Sequence, residues 1–195
     1  MTASQNRTEL IMAPQEVEAG IAGGRLRVID ASVWFETRPV GASTIHSGRE
    51  HWLRGHVPGA AYLHMVEDLS DPDGPYPFTI APQAQIDRVL SRIGIRPDDT
   101  VVLYGAGTPV AVTRAWWVLS VSGLADVRIM DGGWKRWLDE GRPVATGEEK
   151  FDRSEFRGRR RSEAIAGRVE VEAALSGSGA LLVNALSAEQ FAGSG

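Results

Sequence analysis

The sequence of 195 residues contains no cysteine. Disulfide bonds, cysteine-ligated zinc and a cysteine nucleophile are therefore excluded for this chain. Long apolar runs are also missing, because no stretch approaches the ~18 consecutive apolar residues that a membrane span requires. The first ten residues are polar and show neither the apolar core nor the cleavage pattern of a signal peptide. We therefore expect a cytoplasmic protein with no membrane partner.

The chain also has fewer basic than acidic residues. The chain has 21 lysines and arginines against 25 aspartates and glutamates, which gives a formal net charge of −4 and a pI near 5.6. Proteins that bind nucleic acid usually carry a basic face, so this balance argues against a nucleic-acid partner. A cluster of arginines at 157–161 is then best interpreted as part of a solvated linker.

Signatures of metal and cofactor binding are absent as well. None of the four histidines, at positions 46, 51, 56 and 64, has the spacing of a metal site. Gly105 and Gly107 follow an apolar run, but a dinucleotide fingerprint would need a third glycine where Val110 stands. No P-loop lysine follows, and a phosphatase loop would need an arginine in place of Ala111. The sequence predicts no metal and no cofactor.

Apolar runs and helical periodicity alternate along the first three quarters of the chain. Strands are predicted at 27–30, 60–64, 100–104 and 127–130, and helices at 14–22, 49–53, 82–93, 110–122 and 134–140. The stretch 34–47 has no clear period and is predicted to be a loop. Strands that alternate with helices over short connections favour an α/β fold with a parallel sheet.

The composition changes after this α/β region. Residues 147–167 are mostly charged and polar, and their low apolar content predicts a linker. Beyond it, the pattern predicts a helix at 169–175, a turn at 176–179, a strand at 180–183 and a helix start at 187–191. Because one helix and one strand bury each other poorly, we interpret 168–195 as the truncated start of a second domain. The alternative is that this tail packs back on the first domain.

Five motifs in the α/β region carry a family resemblance. They are Arg-Val-Ile-Asp-Ala-Ser at 27–32, Gly-His-Val-Pro-Gly-Ala at 55–60, Asp-Asp-Thr-Val-Val-Leu-Tyr at 98–104, Arg-Ala-Trp-Trp at 114–117 and Asp-Gly-Gly-Trp at 131–134. In this order they resemble the first domain of the tandem-domain sulfurtransferases of the rhodanese family. The resemblance implies a rhodanese-like domain over 10–146, with a parallel sheet of about five strands and helices on both faces.

The resemblance also implies how such a protein works. In the family, a cysteine of the second domain takes a sulfur atom from thiosulfate or 3-mercaptopyruvate and passes it to cyanide or a thiol. The site lies at the domain interface, so the implied partners are a small anionic sulfur donor and a second rhodanese-like domain. Gly105 occupies the family's cysteine position, and this chain is expected to be inactive alone. The alternative is a non-enzymatic rhodanese-homology module that binds an anion or a protein.

Several residues are candidates for the substrate site or the domain interface: Arg49, Arg54, His56, Gly105, Gly107 and Arg114. The amides of the glycine loop and the helix start behind it could hold an anion, although a vestigial turn is the simpler interpretation. His56 and Arg114 are expected to have bracing roles. The two arginines beside the 55–60 turn could meet an anionic substrate, although a solvated face is the simpler interpretation. Thr108 is a poor substitute nucleophile, since no general base is visible in the loop.

Three departures from the family pattern bear on substrate handling. In the tail, Asn184 replaces an aspartate and Leu186 replaces an arginine that helps the family bind its anionic substrate. In the first domain, Phe-Thr-Ile at 78–80 replaces a His-Met-Leu run.

Overall fold

A parallel sheet organises the computed structural model, which describes residues 10–24, 26–36, 44–177 and 179–193. The strands are β1 (Ile11–Met12), β2 (Leu26–Asp30), β3 (Val33–Glu36), β4 (Thr44–Ser47), β5 (Ala61–Tyr62), β6 (Thr100–Tyr104) and β7 (Asp126–Met130). Five of them form one sheet in the order β1-β7-β6-β2-β5, and every neighbouring pair is parallel. The predicted α/β fold with a sheet of about five strands is confirmed.

Helices cover both faces of this sheet, as predicted. The helices before Arg161 are α1 (Pro14–Ala22), α2 (Arg49–Arg54), α3 (Gln83–Arg92), α4 (Pro109–Val121) and α5 (Gly133–Asp139). Two further helices, α6 (Arg168–Leu175) and α7 (Ala188–Phe191), belong to the separate unit described below. One face of β6 sends Val101 and Leu103 into a core with α3 and α4. The opposite face sends Val102 and Tyr104 into a second core with α1 and α5. Burial on both faces explains why β6 is continuously apolar rather than alternating.

The prediction of a loop over 34–47 is wrong at both of its ends. Strands β3 and β4 pair antiparallel, with Val33 opposite Ser47 and Glu36 opposite Thr44. Backbone hydrogen bonds hold this two-stranded ribbon, whereas its side chains are mostly exposed beyond Val33. A ribbon with so few buried side chains leaves no apolar alternation in its sequence. Positions 37–43 of the predicted loop and the polar start at 1–9 lie outside the described residues.

The segment 147–160, predicted to be part of a charged linker, packs along the first domain. The amide of Gly147 donates to Leu53 O at 2.8 Å, and that of Ser154 donates to Ser91 O at 3.0 Å. The ring of Phe156 is fully buried in the core with α3 and α4. Through Arg160 the chain therefore belongs to the same compact unit as the sheet. The prediction missed this packing because one buried aromatic in a polar run gives no periodic signal.

The remaining residues form a second unit that begins at Arg161. It contains the 3₁₀ turn Ser162–Ala164 and the helices α6 and α7. Helix α6 begins one residue before the predicted range 169–175, and α7 lies within the predicted range 187–191. The predicted strand at 180–183 is wrong, because these residues form no strand. No residue of 161–177 and 179–193 is buried, and many apolar side chains are largely exposed: Val169, Leu175, Leu181, Val183, Leu186 and Phe191. None of the helices in the described ranges combines the length and the hydrophobicity needed to span a bilayer.

Truncation of Phe156 tests whether the 147–160 segment is part of the folded domain. We expect Phe156→Ala to lower the free energy of unfolding by about 3–5 kcal/mol, because it empties a fully buried aromatic site. The exposed neighbour Arg159 provides the control, and Arg159→Ala should change stability by less than about 0.5 kcal/mol. Urea unfolding followed by tryptophan fluorescence measures both. Equal effects of the two variants would show that the segment is not packed.

Candidate functional site

The loop that contains Gly105 joins β6 to α4 at the carboxyl edge of the sheet. Helix α4 begins at Pro109, and Thr108 is its N-cap, with a side-chain oxygen that accepts from the Val110 amide at 3.4 Å. Proline in the first turn and threonine at the cap are both favoured at helix starts. The local sequence therefore fixes where the loop ends and the helix begins, and it commits the Thr108 hydroxyl to capping.

A buried carboxylate stabilises the Gly105 loop through a chain of hydrogen bonds. Asp30, the last residue of β2, is 1% exposed, and its Oδ1 accepts from the Ser32 amide at 2.8 Å. The Ser32 and Tyr104 hydroxyls also hydrogen-bond to this carboxyl group. In turn, Ser32 Oγ accepts from the Ala106 amide at 2.8 Å, and the Tyr104 hydroxyl accepts from the Val57 amide at 3.1 Å. Asp30 thus links β2, β6, the 55–60 turn and the Gly105 loop.

Burial governs the charge state of this network. Desolvation raises the pKa of the Asp30 carboxyl above its usual value, although hydrogen bonds from Ser32 and the nearby His51 oppose the shift. Desolvation and the adjacent Asp30 charge also raise the pKa of the Tyr104 hydroxyl. Tyr104 therefore keeps its proton and can donate it to Asp30 in a hydrogen bond.

The glycines around the loop lie where neighbouring atoms come so close that a side chain would collide with them. A Cβ on Gly107 would lie 2.1 Å from the Val33 carbonyl oxygen, so no side chain fits there. Gly133 has a φ of +55°, and a Cβ on it would lie 2.7 Å from Gly105 O. That same oxygen accepts from the Trp134 amide at 3.1 Å. Of these three glycines, only Gly105 has a side chain as its nearest obstacle, because its Cβ would meet Val112 Cγ2 at 2.9 Å.

The chemistry available at the loop is limited. A cavity of about 270 Å³ beside it is lined mainly by apolar atoms, and its one charged residue is the Asp131 carboxylate. The Ala106 amide is already occupied by Ser32. The Asp131 carboxylate pairs with Arg136, so the lining offers an anion no unpaired charge of either sign. The anion-binding interpretation of the loop stays a prediction.

The aromatic residues around the loop were not predicted as site residues. The His51 ring packs on Trp34 at 5.2 Å and on Trp134 at 6.4 Å between centroids, and its Nδ1 is buried without a hydrogen-bond partner. Trp34 lies beside the position that a Cβ on Gly107 would take. Asp30 and Ser32 belong to a motif used for the family resemblance, and their place directly after a buried strand is the signal that could have identified them.

The His56 ring makes contacts on several sides within the domain. It is fully buried, stacks on the Trp52 ring at 4.6 Å, and its Nδ1 lies 2.8 Å from Trp52 O. Its Nε2 lies 3.3 Å from a Glu149 carboxylate oxygen, which also accepts from the Gly59 amide at 2.9 Å. The ring therefore ties the 55–60 turn to the segment that follows Gly147.

The candidate arginines are placed at separate positions. Arg49 pairs with Glu148 and lies 6.0 Å from the Trp52 ring centroid. Arg54 is exposed at the end of α2. Arg114 points to another loop, where its Nη2 donates to Phe78 O at 2.9 Å and to Ser70 Oγ at 3.0 Å. The structure thus joins Gly105 and Gly107 in one loop but brings no candidate arginine into the lining of the adjacent cavity.

Among the described residues, no group of three His, Asp or Glu side chains converges in a way that could hold a metal ion. The expectation of a protein without metal or cofactor stays a prediction from the sequence.

An α/β domain with a glycine loop at the carboxyl edge of a five-stranded parallel sheet, held by a buried aspartate, defines the class of this protein. Residues 13–140 match the family model described as the rhodanese-like domain. The chain therefore belongs to the rhodanese-like domain family, as its motifs predicted.

Two relatives and one solved structure illustrate the similarity. A thiosulfate sulfurtransferase of Gallus gallus is 34% identical over 133 residues, which are 67% of this chain and 43% of that protein. A thiosulfate sulfurtransferase of Bos taurus is 32% identical over 134 residues, or 68% of this chain and 42% of that protein. The crystal structure of SseA from Escherichia coli, described among 3-mercaptopyruvate sulfotransferases, matches with a TM-score of 0.81 at 23% identity and covers 94% of this chain and 68% of that chain.

These comparisons confirm the family and the fold. The matched region spans less than half the length of the two curated relatives. Similarity over that region alone does not transfer the activity, substrates and partners of those longer proteins to this chain.

Alanine at the two loop glycines should have clearly different effects. Gly107→Ala forces a Cβ against the Val33 carbonyl group, a backbone obstacle that cannot rotate away, and should lower the free energy of unfolding by about 3 kcal/mol. Gly105→Ala meets only the Val112 side chain and should cost about 1 kcal/mol. In a Val112→Ala background that cost should largely disappear. Urea unfolding of the four variants measures the cycle, and equal costs at both glycines would contradict this packing.

The buried Asp30 should make stability depend on pH. Because its pKa is higher in the folded chain, the folded state holds the proton more tightly, and the free energy of unfolding falls as the pH rises from 3.8 through the raised pKa. Asp30→Asn should remove this fall, because an amide does not titrate. Each tenfold difference in proton affinity between the folded and unfolded states corresponds to about 1.4 kcal/mol of stability. Urea unfolding between pH 4 and pH 8 follows the difference between the two proteins.

Asp126 provides a control of opposite sign. The Arg128 guanidinium and the Thr100 hydroxyl lower the pKa of the Asp126 carboxyl, so its contribution to stability is present at neutral pH and lost as the pH falls. Asp126→Asn should therefore destabilise the protein more at pH 7 than at a pH below 3.8, where the Asp126 carboxyl takes up a proton. A parallel response of the Asp30 and Asp126 variants would rule out the buried-carboxylate interpretation.

Proposed function

We propose that this chain is the non-catalytic first domain of a two-domain rhodanese-family sulfurtransferase. The observation that carries the proposal is Gly105. It stands at the family's cysteine position in a loop whose support by Asp30 and Ser32 is complete. No thiol exists anywhere in the chain. The loop keeps its supporting hydrogen bonds although it has no nucleophile. We expect this of a domain that forms one side of an interface while another domain carries out the reaction.

The reaction in this proposal takes place on a cysteine of the second domain. Its thiolate attacks the outer sulfur of thiosulfate, the sulfur–sulfur bond breaks, and sulfite leaves with the electron pair. With 3-mercaptopyruvate, the carbon–sulfur bond breaks and pyruvate leaves after its carbon takes a proton. The persulfide then gives its outer sulfur to cyanide or to a thiol, which regenerates the thiolate.

The second unit supports the existence of a larger domain. The side chains of Leu181, Val183 and Phe191 are 88%, 80% and 70% exposed. Apolar side chains that are this exposed and close in sequence favour burial against further protein. We propose that the rest of a second rhodanese-like domain covers them.

The anionic sulfur donor would enter between the two domains. Of the candidate arginines, Arg54 is exposed and makes no ion pair with any described residue, whereas Arg49 is paired with Glu148. We therefore favour Arg54 as the residue of this chain that meets the donor. A cytoplasmic location belongs to the same proposal.

Sulfur transfer assays test the proposal. This chain alone should form no thiocyanate from cyanide with either thiosulfate or 3-mercaptopyruvate, because no thiolate is available. The product of the coding sequence extended beyond position 195 should be active, and replacing the cysteine of its second domain should abolish the activity. In that product, Arg54→Gln should raise the KM for the donor several-fold, whereas Arg159→Gln should not change it. Turnover by the present chain, or a stop codon directly after it, would overturn the proposal and favour a non-enzymatic binding module.

A further inference from the structure

A short strap of chain crosses the turn that contains His56. We define the strap as residues 147–150. It lies between two fixed points, because Ala145 pairs with the backbone of His56 through hydrogen bonds of 3.0 and 2.9 Å, and Phe151 packs partly buried against the core with α3 and α4. The sulfur transfer proposed above makes no use of the strap.

A histidine and a carboxylate meet where the strap crosses the turn. His56 Nε2 lies 3.3 Å from Glu149 Oε1, and the same oxygen accepts from the Gly59 amide at 2.9 Å. The His56 side chain is fully buried, whereas that of Glu149 is 29% exposed. Glu149 also lines a cavity of about 520 Å³. Solvent therefore reaches the pair from the side of the strap and can exchange protons with it.

The partners of the His56 ring decide how many protons it carries. Nδ1 lies 2.8 Å from Trp52 O, and a backbone carbonyl oxygen can only accept, so Nδ1 carries a proton. The ionised carboxylate of Glu149 also only accepts. A neutral ring would then direct the lone pair of Nε2 towards a negatively charged oxygen. Protonation of Nε2 replaces this repulsion by a charge-assisted hydrogen bond.

Glu149 is the charged group in contact with the ring. Of the charged side chains in the described part of the chain, it alone forms an ion pair or a hydrogen bond with the side chain of His56. The other charged and titratable groups on the elements packed around the ring are Arg49, Glu50, His51 and Arg54 on α2, Glu148 and Lys150 on the strap, Tyr104 on β6 and Asp30 on β2. Arg49 pairs with Glu148, and the Tyr104 hydroxyl is hydrogen-bonded to Asp30.

We propose that His56 and Glu149 form a pH-sensitive latch that holds the strap on the turn. While both ring nitrogens of His56 carry a proton, the imidazolium binds the Glu149 carboxylate and the strap is closed. Transfer of the Nε2 proton to solvent breaks this hydrogen bond and leaves a lone pair facing the carboxylate, so the strap opens. Because the closed form holds the proton, it is favoured at lower pH and lost as the pH rises.

The latch is independent of the proposed sulfur transfer. Its working step moves one proton and changes no bond between heavy atoms. It involves neither Gly105 nor a thiol. Each proposal can therefore fail while the other stands.

Nuclear magnetic resonance of the full chain, labelled with ¹⁵N, tests the latch. Both ring nitrogens of His56 should carry a proton at pH 7, where a free histidine, with a pKa of about 6.5, is mostly neutral. Long-range ¹H–¹⁵N correlation spectra distinguish the two forms. His64 gives an internal reference for a nitrogen without a proton, because its Nδ1 accepts from the Glu67 amide at 3.0 Å. A His56 ring with a single proton at pH 7 would overturn the proposal.

Two neighbouring carboxylates provide matched variants. Glu149→Gln removes the charge that holds the second proton, so His56 should then carry one proton at pH 7. Glu148→Gln makes the same chemical change one residue earlier, where the carboxylate pairs with Arg49, and should leave His56 doubly protonated. Both replaced residues are at least partly exposed, and circular dichroism checks that each variant is folded. Equal effects of the two variants on His56 would assign its charge to the general field of the strap and contradict the latch.

Amide hydrogen exchange tests whether the proton controls the strap. As the pH rises and His56 loses its Nε2 proton, exchange of the Gly59 and Gly147 amides should accelerate by about tenfold or more after correction for the intrinsic effect of pH. The amides of β6 should show no such change. In Glu149→Gln, the corrected rates at both glycines should stay constant over the same pH range. Loss of the His56 proton without faster exchange at these amides would show that the strap does not open, and the latch would be rejected.

Discussion

The buried carboxylate of Asp30 is the constraint on which the carboxyl edge of the sheet depends. Its burial carries a desolvation penalty, which hydrogen bonds from Ser32 and Tyr104 offset in part. Because these partners belong to different segments, satisfying one carboxylate fixes β2, β6 and the chain after β2 together. Ser32 then positions the Ala106 amide, so the shape of the Gly105 loop follows from the burial of Asp30.

The same arrangement explains why the loop persists without a reactive residue. The approach of Gly107 to Val33 and of Gly133 to Gly105 joins the loop to its neighbours through backbone atoms. None of these contacts requires a thiol, so the loop conformation and the chemistry of a nucleophile are separable. A domain of this kind can lose the nucleophile and still present an ordered surface at the edge where the family places its site.

The main helices could be predicted because their apolar positions repeat with the helical period. The central strand β6 could be predicted because a short continuous apolar run is typical of a strand buried on both faces. The two-residue strand β1 (Ile11–Met12) was not predicted, since it is too short to give a pattern. The β3–β4 ribbon could not be predicted either, since its pairing depends on backbone hydrogen bonds between partly exposed strands. In the tail, by contrast, a strand was predicted at 180–183 that does not form. An apolar run becomes a strand only when another strand pairs with it. At the site, the sequence identified the Gly105 position but not the hydrogen bonds and ring contacts that hold the loop. The contacts of Asp30, His51 and Trp134 join residues that are distant in the chain, and no local pattern records them.

The packing of Phe156 has a consequence for how this domain can be inherited. The match to the family model ends at residue 140, but a fully buried core residue lies sixteen positions later. The stretch that evolution can move between genes as a stable unit is therefore longer than the stretch that sequence similarity marks out. A recombination event that joined a new partner directly after residue 140 would transfer the sheet without one of the residues that close its core.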